Sequence, residues 1–351
     1  MSNQQRDLFR VALTADFFDS DGNLNFKDLG LDVFADCPRV ESCVLEENRP
    51  EIGSDQLAGI QGVILGGERV STETVAASED LLVFSRVGVG YDAVDVPACT
   101  EADVAVLIAA GGVNRSMGEA TIGLMIALTH RIIAKDRLVR TGAWDDRTIY
   151  HGVELRDRTF GAVGFGGIAR ETIRLLSTFG MNRPIAFDPH VDAASAENLG
   201  VDLVGIDELM KRADFVSIHC PLTDETLGLV GERELNLMKP EAYLINTARG
   251  GIVDEDALFE LLKQGRIAGA GIDCFVGEPI VEPHRFGALD NVVLAPHSIG
   301  WTEELFRDIG RMACGSVVDL ALGRVPPGVV NKEVFERPGF QQKWRRLQVE
   351  R

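Results

Sequence analysis

Short apolar runs alternate with polar or helix-patterned stretches along most of the chain, and the alternation differs between two regions. Between Arg10 and Ala110 the strand candidates are Val11-Ala-Leu, Gly62-Val-Ile-Leu, Leu81-Leu-Val-Phe-Ser and Val104-Ala-Val-Leu-Ile, which predict a small α/β unit. Between Arg158 and Pro296 the succession is more regular. Thr159-Phe-Gly-Ala-Val leads into a helix to Phe179. Pro184-Ile-Ala-Phe, a helix from Ile206 to Arg212 and Phe215-Val-Ser-Ile-His follow. Tyr243-Leu-Ile-Asn, a helix from Asp254 to Gln264, Ala268-Gly-Ala-Gly-Ile-Asp and Val292-Val-Leu-Ala complete the series. Strand and helix in such order specify a mostly parallel sheet covered on both faces.

Between the two regions, Asn114-Arg-Ser-Met-Gly-Glu119 opens a helix to about Lys135, with Ser116 and Glu119 at capping-box spacing. Its apolar residues are too many for one stripe, so it must be buried, in a core or against a second subunit. After His297 the pattern predicts a helix from Thr302 to Leu322 and a partly basic end containing Lys343, Arg345 and Arg346.

With 351 residues and 45% hydrophobic composition, the chain has material for roughly two domains. A net charge of −19 argues against nucleic acid or anionic membrane as partners, since both require clustered Lys and Arg. The first seven residues are polar and no run approaches the ~18 apolar residues of a membrane span, so the expectation is a cytoplasmic protein. Six scattered cysteines without a C-x-x-C pair, and histidines without metal spacing, signal no disulfide framework and no metal.

Gly164-Phe-Gly166-Gly167-Ile168-Ala169 follows a strand, opens a helix, and is succeeded by a strand ending in Asp188. That is the dinucleotide fingerprint in its G-x-G-x-x-A form: Gly164 for a tight turn, Gly166 for close approach of a pyrophosphate, Ala169 for helix–strand packing. Asp188 suits the two adenosine ribose hydroxyls, and neither Pro189 nor His190 could answer a 2′-phosphate, so NAD is favoured over NADP. Arg183 precedes that strand and reads as a surface charge.

Three ionisable groups follow strands in this region: Arg249 after Tyr243-Leu-Ile-Asn, Glu278 after Gly-Ile-Asp-Cys-Phe, and His297 after Val-Val-Leu-Ala-Pro. Open α/β sheets bind ligands at the carboxyl ends of their strands. A histidine can move a proton near neutral pH, a carboxylate on its other ring nitrogen favours the protonated ring, and an arginine can fork onto a carboxylate. Alone, His297 reads as a loop histidine, Arg249 as a partner of Asp254 and Glu278 as a turn residue; converging, they suit redox chemistry on a small organic acid. His219 is explained by packing or a cofactor-side hydrogen bond, nothing marks Cys220 or Cys274 as an activated thiolate, and Trp144 reads as a packing residue beneath a loop.

From Arg86 to Glu304 the chain resembles the D-isomer-specific 2-hydroxyacid dehydrogenases. The resemblance rests on Arg86-Val-Gly-Val-Gly-Tyr-Asp, Gly164-Phe-Gly-Gly-Ile-Ala, His219-Cys-Pro-Leu-Thr, Asn246-Thr-Ala-Arg-Gly-Gly-Ile-Val-Asp, Gly269-Ala-Gly-Ile-Asp-Cys-Phe-Val-Gly-Glu-Pro and Ala295-Pro-His-Ser-Ile-Gly. It implies an α/β fold in which a Rossmann-type doubly wound parallel sheet (112–299) is inserted in a smaller flavodoxin-like α/β substrate domain (1–111 plus 300–351). It also implies a homodimer formed through the Rossmann domain.

Carried over by position, Arg249, Glu278 and His297 are catalytic, and Val89 and Gly90 join Arg249 in binding the substrate carboxylate. Gly164, Gly166, Gly167, Ile168, Asp188, Cys220, Thr247, Ala248, Asp273 and Gly300 surround NAD, with Asp273 facing the nicotinamide end. The implied reaction interconverts a 2-oxo acid and a D-2-hydroxy acid. Three positions depart from the common pattern: Gly167 stands where a basic residue is frequent, Ala169 where a third glycine is usual, and Trp301 where a smaller residue is common. An NAD(H)-sensing, corepressor-like protein and a phosphite dehydrogenase-like enzyme are the alternatives; Glu278 disfavours a formate dehydrogenase, which carries glutamine there. The substrate side chain is not legible.

Overall fold

The structure is a computed structural model that describes residues 8–76 and 79–349, so the polar N-terminal heptapeptide lies outside the described residues. From the N-terminal side the elements are β1 (Phe9–Leu13), β2 (Val40–Val44), β3 (Gly62–Leu65), α1 (Thr72–Val75), β4 (Val83–Arg86), α2 (Val96–Glu101) and β5 (Ala105–Ile108). Two consecutive helices follow, α3 (Asn114–Thr129) and α4 (Ile132–Thr141). The regular alternation then runs β6 (Phe160–Val163), α5 (Gly167–Leu176), β7 (Ile185–Phe187), α6 (Ala193–Glu197), β8 (Asp202–Leu203), α7 (Ile206–Arg212) and β9 (Phe215–Ile218). It closes with α8 (Glu232–Leu235), β10 (Tyr243–Asn246), α9 (Glu255–Lys263), β11 (Gly269–Ile272) and β12 (Val292–Leu294), before α10 (Glu303–Ala321) and α11 (Pro338–Leu347).

The chain divides into two compact units, one of residues 1–113 and 301–351, the other of 114–300. The first holds a five-stranded sheet in the order β2-β1-β3-β4-β5, and the second a seven-stranded sheet in the order β12-β11-β10-β9-β6-β7-β8. Every ladder within both sheets is parallel. The central strands are buried along their whole length, as sheets sandwiched between helices require. Strand β2, with the pattern Val-Glu-Ser-Cys-Val, is an edge strand exposed beyond its first residue.

In the second unit α3 packs along α5 and over β10, β11 and β12, burying Ile122, Leu124, Met125 and Leu128. Its apolar excess is covered by its own unit. Ser116 is no cap: the helix starts two residues earlier, and the Ser116 hydroxyl donates to the Gly300 carbonyl. Helix α4 instead buries none of its residues, and Ile132, Ile133, Val139, Trp144 and Ile149 on it and the turn after it are exposed. Trp144 therefore does not pack beneath a loop, because its own segment has no core contact; the Arg147 guanidinium lies over its ring, 5.5 Å from the centroid.

The basic C-terminal end is α11, tied into the first unit. Lys343 Nζ donates to the carbonyls of Leu81, Ala102 and Asp103, and Trp344 Nε1 donates to the Leu320 carbonyl at 2.7 Å.

Candidate active site

The site is built where β10, β11 and β12, neighbours in one sheet, reach their carboxyl ends. After β10 the chain turns sharply. Asn246 holds the turn, its side chain donating to the Arg249 carbonyl at 2.9 Å and accepting from the Ala248 amide at 3.1 Å. The next residue must be glycine, since a Cβ at Gly250 would collide with the Phe275 carbonyl. Arg249 Nη1 donates to the Ala248 carbonyl at 2.7 Å.

After β11 the chain enters Asp273, Cys274 and the loop to Glu278. Asp273 is buried, and its Oδ1 accepts from the amides of Ser298 and Ile299 at 3.0 and 3.2 Å. Its own carbonyl accepts from the His297 amide at 2.8 Å. Burial pushes the Asp273 carboxyl above its ordinary range, while those two amides pull the other way. One carboxylate thus organises the His297–Ile299 turn, in which His297 adopts a left-handed conformation with φ of +52°. Such a backbone is strained for a residue with a Cβ and persists because surrounding bonds over-determine it.

Glu278 is fixed from both ends of its carboxylate. Oε1 accepts from the Phe275 amide at 2.7 Å, and Oε2 lies 2.7 Å from His297 Nδ1. Both side chains remain partly open to solvent. The loop that carries Glu278 is steadied by Glu255, which accepts from the Val276 amide at 2.7 Å at the start of α9. Beneath lies Cys274, buried, its Sγ 3.4 Å from the Ala248 carbonyl; burial pushes its thiol up to about 12.

The other half of the unit carries the fingerprint. Gly164 has φ of +93°, and a Cβ there would lie 2.6 Å from the Cys220 amide nitrogen, so glycine is obligatory. A Cβ at Gly166 would meet open space, and no side chain caps the N-terminus of α5. Unpaired helix amides beside open space are an anion cradle. Ile168 is half-buried and Ala169 fully buried, Gly167 is exposed with its Cα close to Asn114, and Asp188 directly follows β7, accepting from the Phe165 and His190 amides at 2.8 and 2.9 Å. This donor set fits a dinucleotide, with the uncapped helix end for pyrophosphate and lone pairs of Asp188 left for ribose hydroxyls.

Not every expected cofactor residue lies open. Gly300 is buried with its Cα against Met117, and Thr247 is buried, while Cys220 and Ala248 are half-buried. Burial pushes the Cys220 thiol up to about 11. His219 is half-buried with its Nε2 sunk and without a hydrogen-bond partner among the described residues, and burial lowers its pKa to about 4, so it is a neutral ring at physiological pH. Arg183 is engaged with Glu197 and Asp202. In the first unit, Val89 and Gly90 follow β4 in a loop held by Arg86, which donates to the carbonyls of Val87 and Gly90. Sequence reasoning missed the organising roles of Asn246 and Arg86; a polar residue ending a buried strand just before a catalytic candidate was the available signal for Asn246.

The family model for the D-isomer-specific 2-hydroxyacid dehydrogenase NAD-binding domain matches residues 122–298. A D-3-phosphoglycerate dehydrogenase of Methanocaldococcus jannaschii is 38% identical over 282 residues, covering 80% of this chain and 52% of that protein. A glyoxylate reductase of Thermofilum pendens is 38% identical over 274 residues, covering 77% of this chain and 80% of its own. The chain thus spans about half the length of the first relative and about four fifths of the second. Among solved structures, a glyoxylate reductase from Paecilomyes thermophila superposes with a TM-score of 0.78 at 26% identity, covering 93% of this chain and 99% of that one. On these grounds the chain belongs to the D-isomer-specific 2-hydroxyacid dehydrogenase family, with its NAD-binding domain in the second unit.

Proposed function

We propose that the protein reduces a small 2-oxo acid to its D-2-hydroxy acid, reversibly, with NAD(H). The observation that carries this reading is the 2.7 Å bond between His297 Nδ1 and Glu278 Oε2 at the end of adjacent strands. With Nδ1 committed to the carboxylate, Nε2 is the ring atom that faces a substrate oxygen. When bound, the reduced nicotinamide supplies the hydride to C2. His297 gives its Nε2 proton to the carbonyl oxygen, and Glu278 stabilises the imidazolium that must exist beforehand. Arg249 forks onto the substrate carboxylate and offsets charge developing on the oxygen. Asp273 acts through His297, holding the turn that aims the ring.

Asp188, with no arginine beside it, supports NADH over NADPH. The relatives favour neither the sensing nor the phosphite-oxidising alternative. The exposed apolar residues of α4 and the following turn support a homodimer in which a second copy covers them. Six free cysteines support a reducing compartment, the cytoplasm; among the described residues no helix is long and apolar enough to cross a membrane.

The test is NADH consumption against a panel of 2-oxo acids, including glyoxylate and hydroxypyruvate, with NADPH and the His297→Ala variant in parallel. Rapid oxidation with one or two acids, lost in the variant, is the expected result. Silence across the panel despite NADH binding would sink the reading.

A further inference from the structure

We propose that Cys274, Glu278 and His297 together capture a borderline divalent cation, zinc foremost, and that its capture arrests turnover. One ligand atom from each residue lies within 4.8 Å of the other two. The sequence gives no sign of this, because Cys274 and Glu278 flank a loop and His297 arrives from the next strand. The fold assembles the set: Oε1 of Glu278 is pinned by the Phe275 amide, and the His297 amide by the Asp273 carbonyl.

Sulfur, imidazole nitrogen and carboxylate oxygen form a donor set that suits zinc and its neighbours and disfavours magnesium and calcium, which prefer oxygen alone. Three protein ligands with an open fourth position is a common zinc arrangement. Bonds of about 2.0–2.3 Å place tetrahedral ligand atoms about 3.3–3.8 Å apart. Reaching that from the present spacing needs His297 Nδ1 and Glu278 Oε2 to part by somewhat under 1 Å and the thiol to draw nearer. The two partly exposed side chains have room to give, while buried Cys274 is the fixed anchor.

On capture the metal takes the place of the proton between Nδ1 and Oε2. The Cys274 S–H bond breaks as the S–metal bond forms, and both protons leave to solvent; no oxidant or reductant takes part. A ring held through Nδ1 by a cation keeps its Nε2 proton too tightly, or loses its aim, and acid–base exchange stops.

The inference goes beyond the dehydrogenase reading, and its primary test needs no turnover. Cobalt(II) is added to the purified chain and the near-ultraviolet thiolate-to-cobalt charge-transfer band is followed. One equivalent of band is expected, absent in Cys274→Ser and in Cys274→Ala, with unchanged thermal melting showing that the variants fold. Zinc titrated against a chromophoric chelator should bind the native chain at least tenfold more tightly than Cys274→Ser. In the NADH assay Cys274→Ser should keep its basal rate and lose at least tenfold in sensitivity to zinc. Absence of a thiolate band in the native chain, or equal zinc affinity in native chain and Cys274→Ser, overturns the proposal.

Discussion

The two sheets are built alike and end differently. Both are parallel, and both gather ionisable groups at the carboxyl ends of their strands, where such folds place ligands. At the ends of β11 and β12 the Glu278–His297 pair is partly open to solvent, fixed by short bonds yet able to exchange protons. At the ends of β1 and β3, in an order β2-β1-β3-β4-β5 that reverses between those strands, the Glu68 carboxyl is sunk and Asp16 is half-buried. The Thr14 hydroxyl donates to Asp16 Oδ1 at 2.7 Å and accepts from the Gly66 amide at 2.8 Å, while Asp16 Oδ2 accepts from the Gly67 amide at 2.8 Å. Glu68, 7% exposed, is buried beside them, and its Oε2 has no hydrogen-bond partner among the described residues. Burial first, and the Asp16 charge second, push its carboxyl up to about 7. The same strand-end geometry therefore yields a solvent-open Glu278–His297 pair in one unit and a buried, proton-holding Glu68 in the other; solvent access separates them.

The strongest way to break this contrast is to remove the exposed acid. Replacing His297 by Ala should lower kcat by about 10²–10⁴-fold, the usual worth of a positioned general acid. Glu278→Gln keeps a hydrogen bond to Nδ1 but removes the charge that stabilises the imidazolium, so kcat for reduction should also fall, by less than in His297→Ala. If His297→Ala left kcat within a few-fold of native, proton transfer would have to be assigned elsewhere.

The buried acid predicts a stability effect. Glu68 has a folded pKa of about 7 against an ordinary value of 4.5, so the native state holds its proton more tightly than the unfolded state does. Its contribution is fully present below about pH 4.5 and is lost as pH rises through 7. Glu68→Gln removes the titration. The variant should be more stable than the native chain at pH 8 by at most about 3 kcal/mol, with no such gain at pH 4.5. Urea denaturation at the two pH values checks this, and a gain of equal size at both would refute the assignment. A smaller effect attaches to Asp273. Truncating it to Ala leaves the buried-side amides of Ser298 and Ile299 without their acceptor, which should cost about 2 kcal/mol and lower kcat through the loosened His297 turn, with Asn restoring part of both.

The contrast also marks what the sequence disclosed. Arg249, Glu278 and His297 each follow an apolar run, and the fingerprint glycines sit between a strand and a helix, so local pattern was enough to mark them. Glu68 was invisible because nothing local distinguishes a sunk carboxylate from a solvated one; burial is decided by β1, β3 and the Asp16 turn together. Strand β2 went unread because an edge strand needs only one buried residue, and its Glu41 and Ser42 look like loop. Helix α4 escaped for a related reason: its apolar residues face outward in a single chain, so their periodicity pointed to no core. The cation-binding trio was illegible for a third reason, since its spacing matches no local metal motif and only the strand order of β11 and β12 joins it.

The least of the effects sharpens the contrast from the first unit's side. Helix α11 is amphipathic and basic, and in the sequence it stands out only as a partly basic end; Phe340, fully buried, and the Trp344 indole, bonded to the Leu320 carbonyl, make it part of the core. Trp344→Phe keeps most of the packing area and removes one hydrogen bond, leaving the carbonyl without that donor. The cost should be about 1 kcal/mol. Because every assigned cofactor residue lies in 114–300, the NADH dissociation constant measured by fluorescence should stay unchanged in this variant while the denaturation midpoint falls. A weakened NADH affinity accompanying the lost stability would mean that the first unit contributes to holding the cofactor, and the contrast between a solvent-open and a buried strand-end site would then be incomplete.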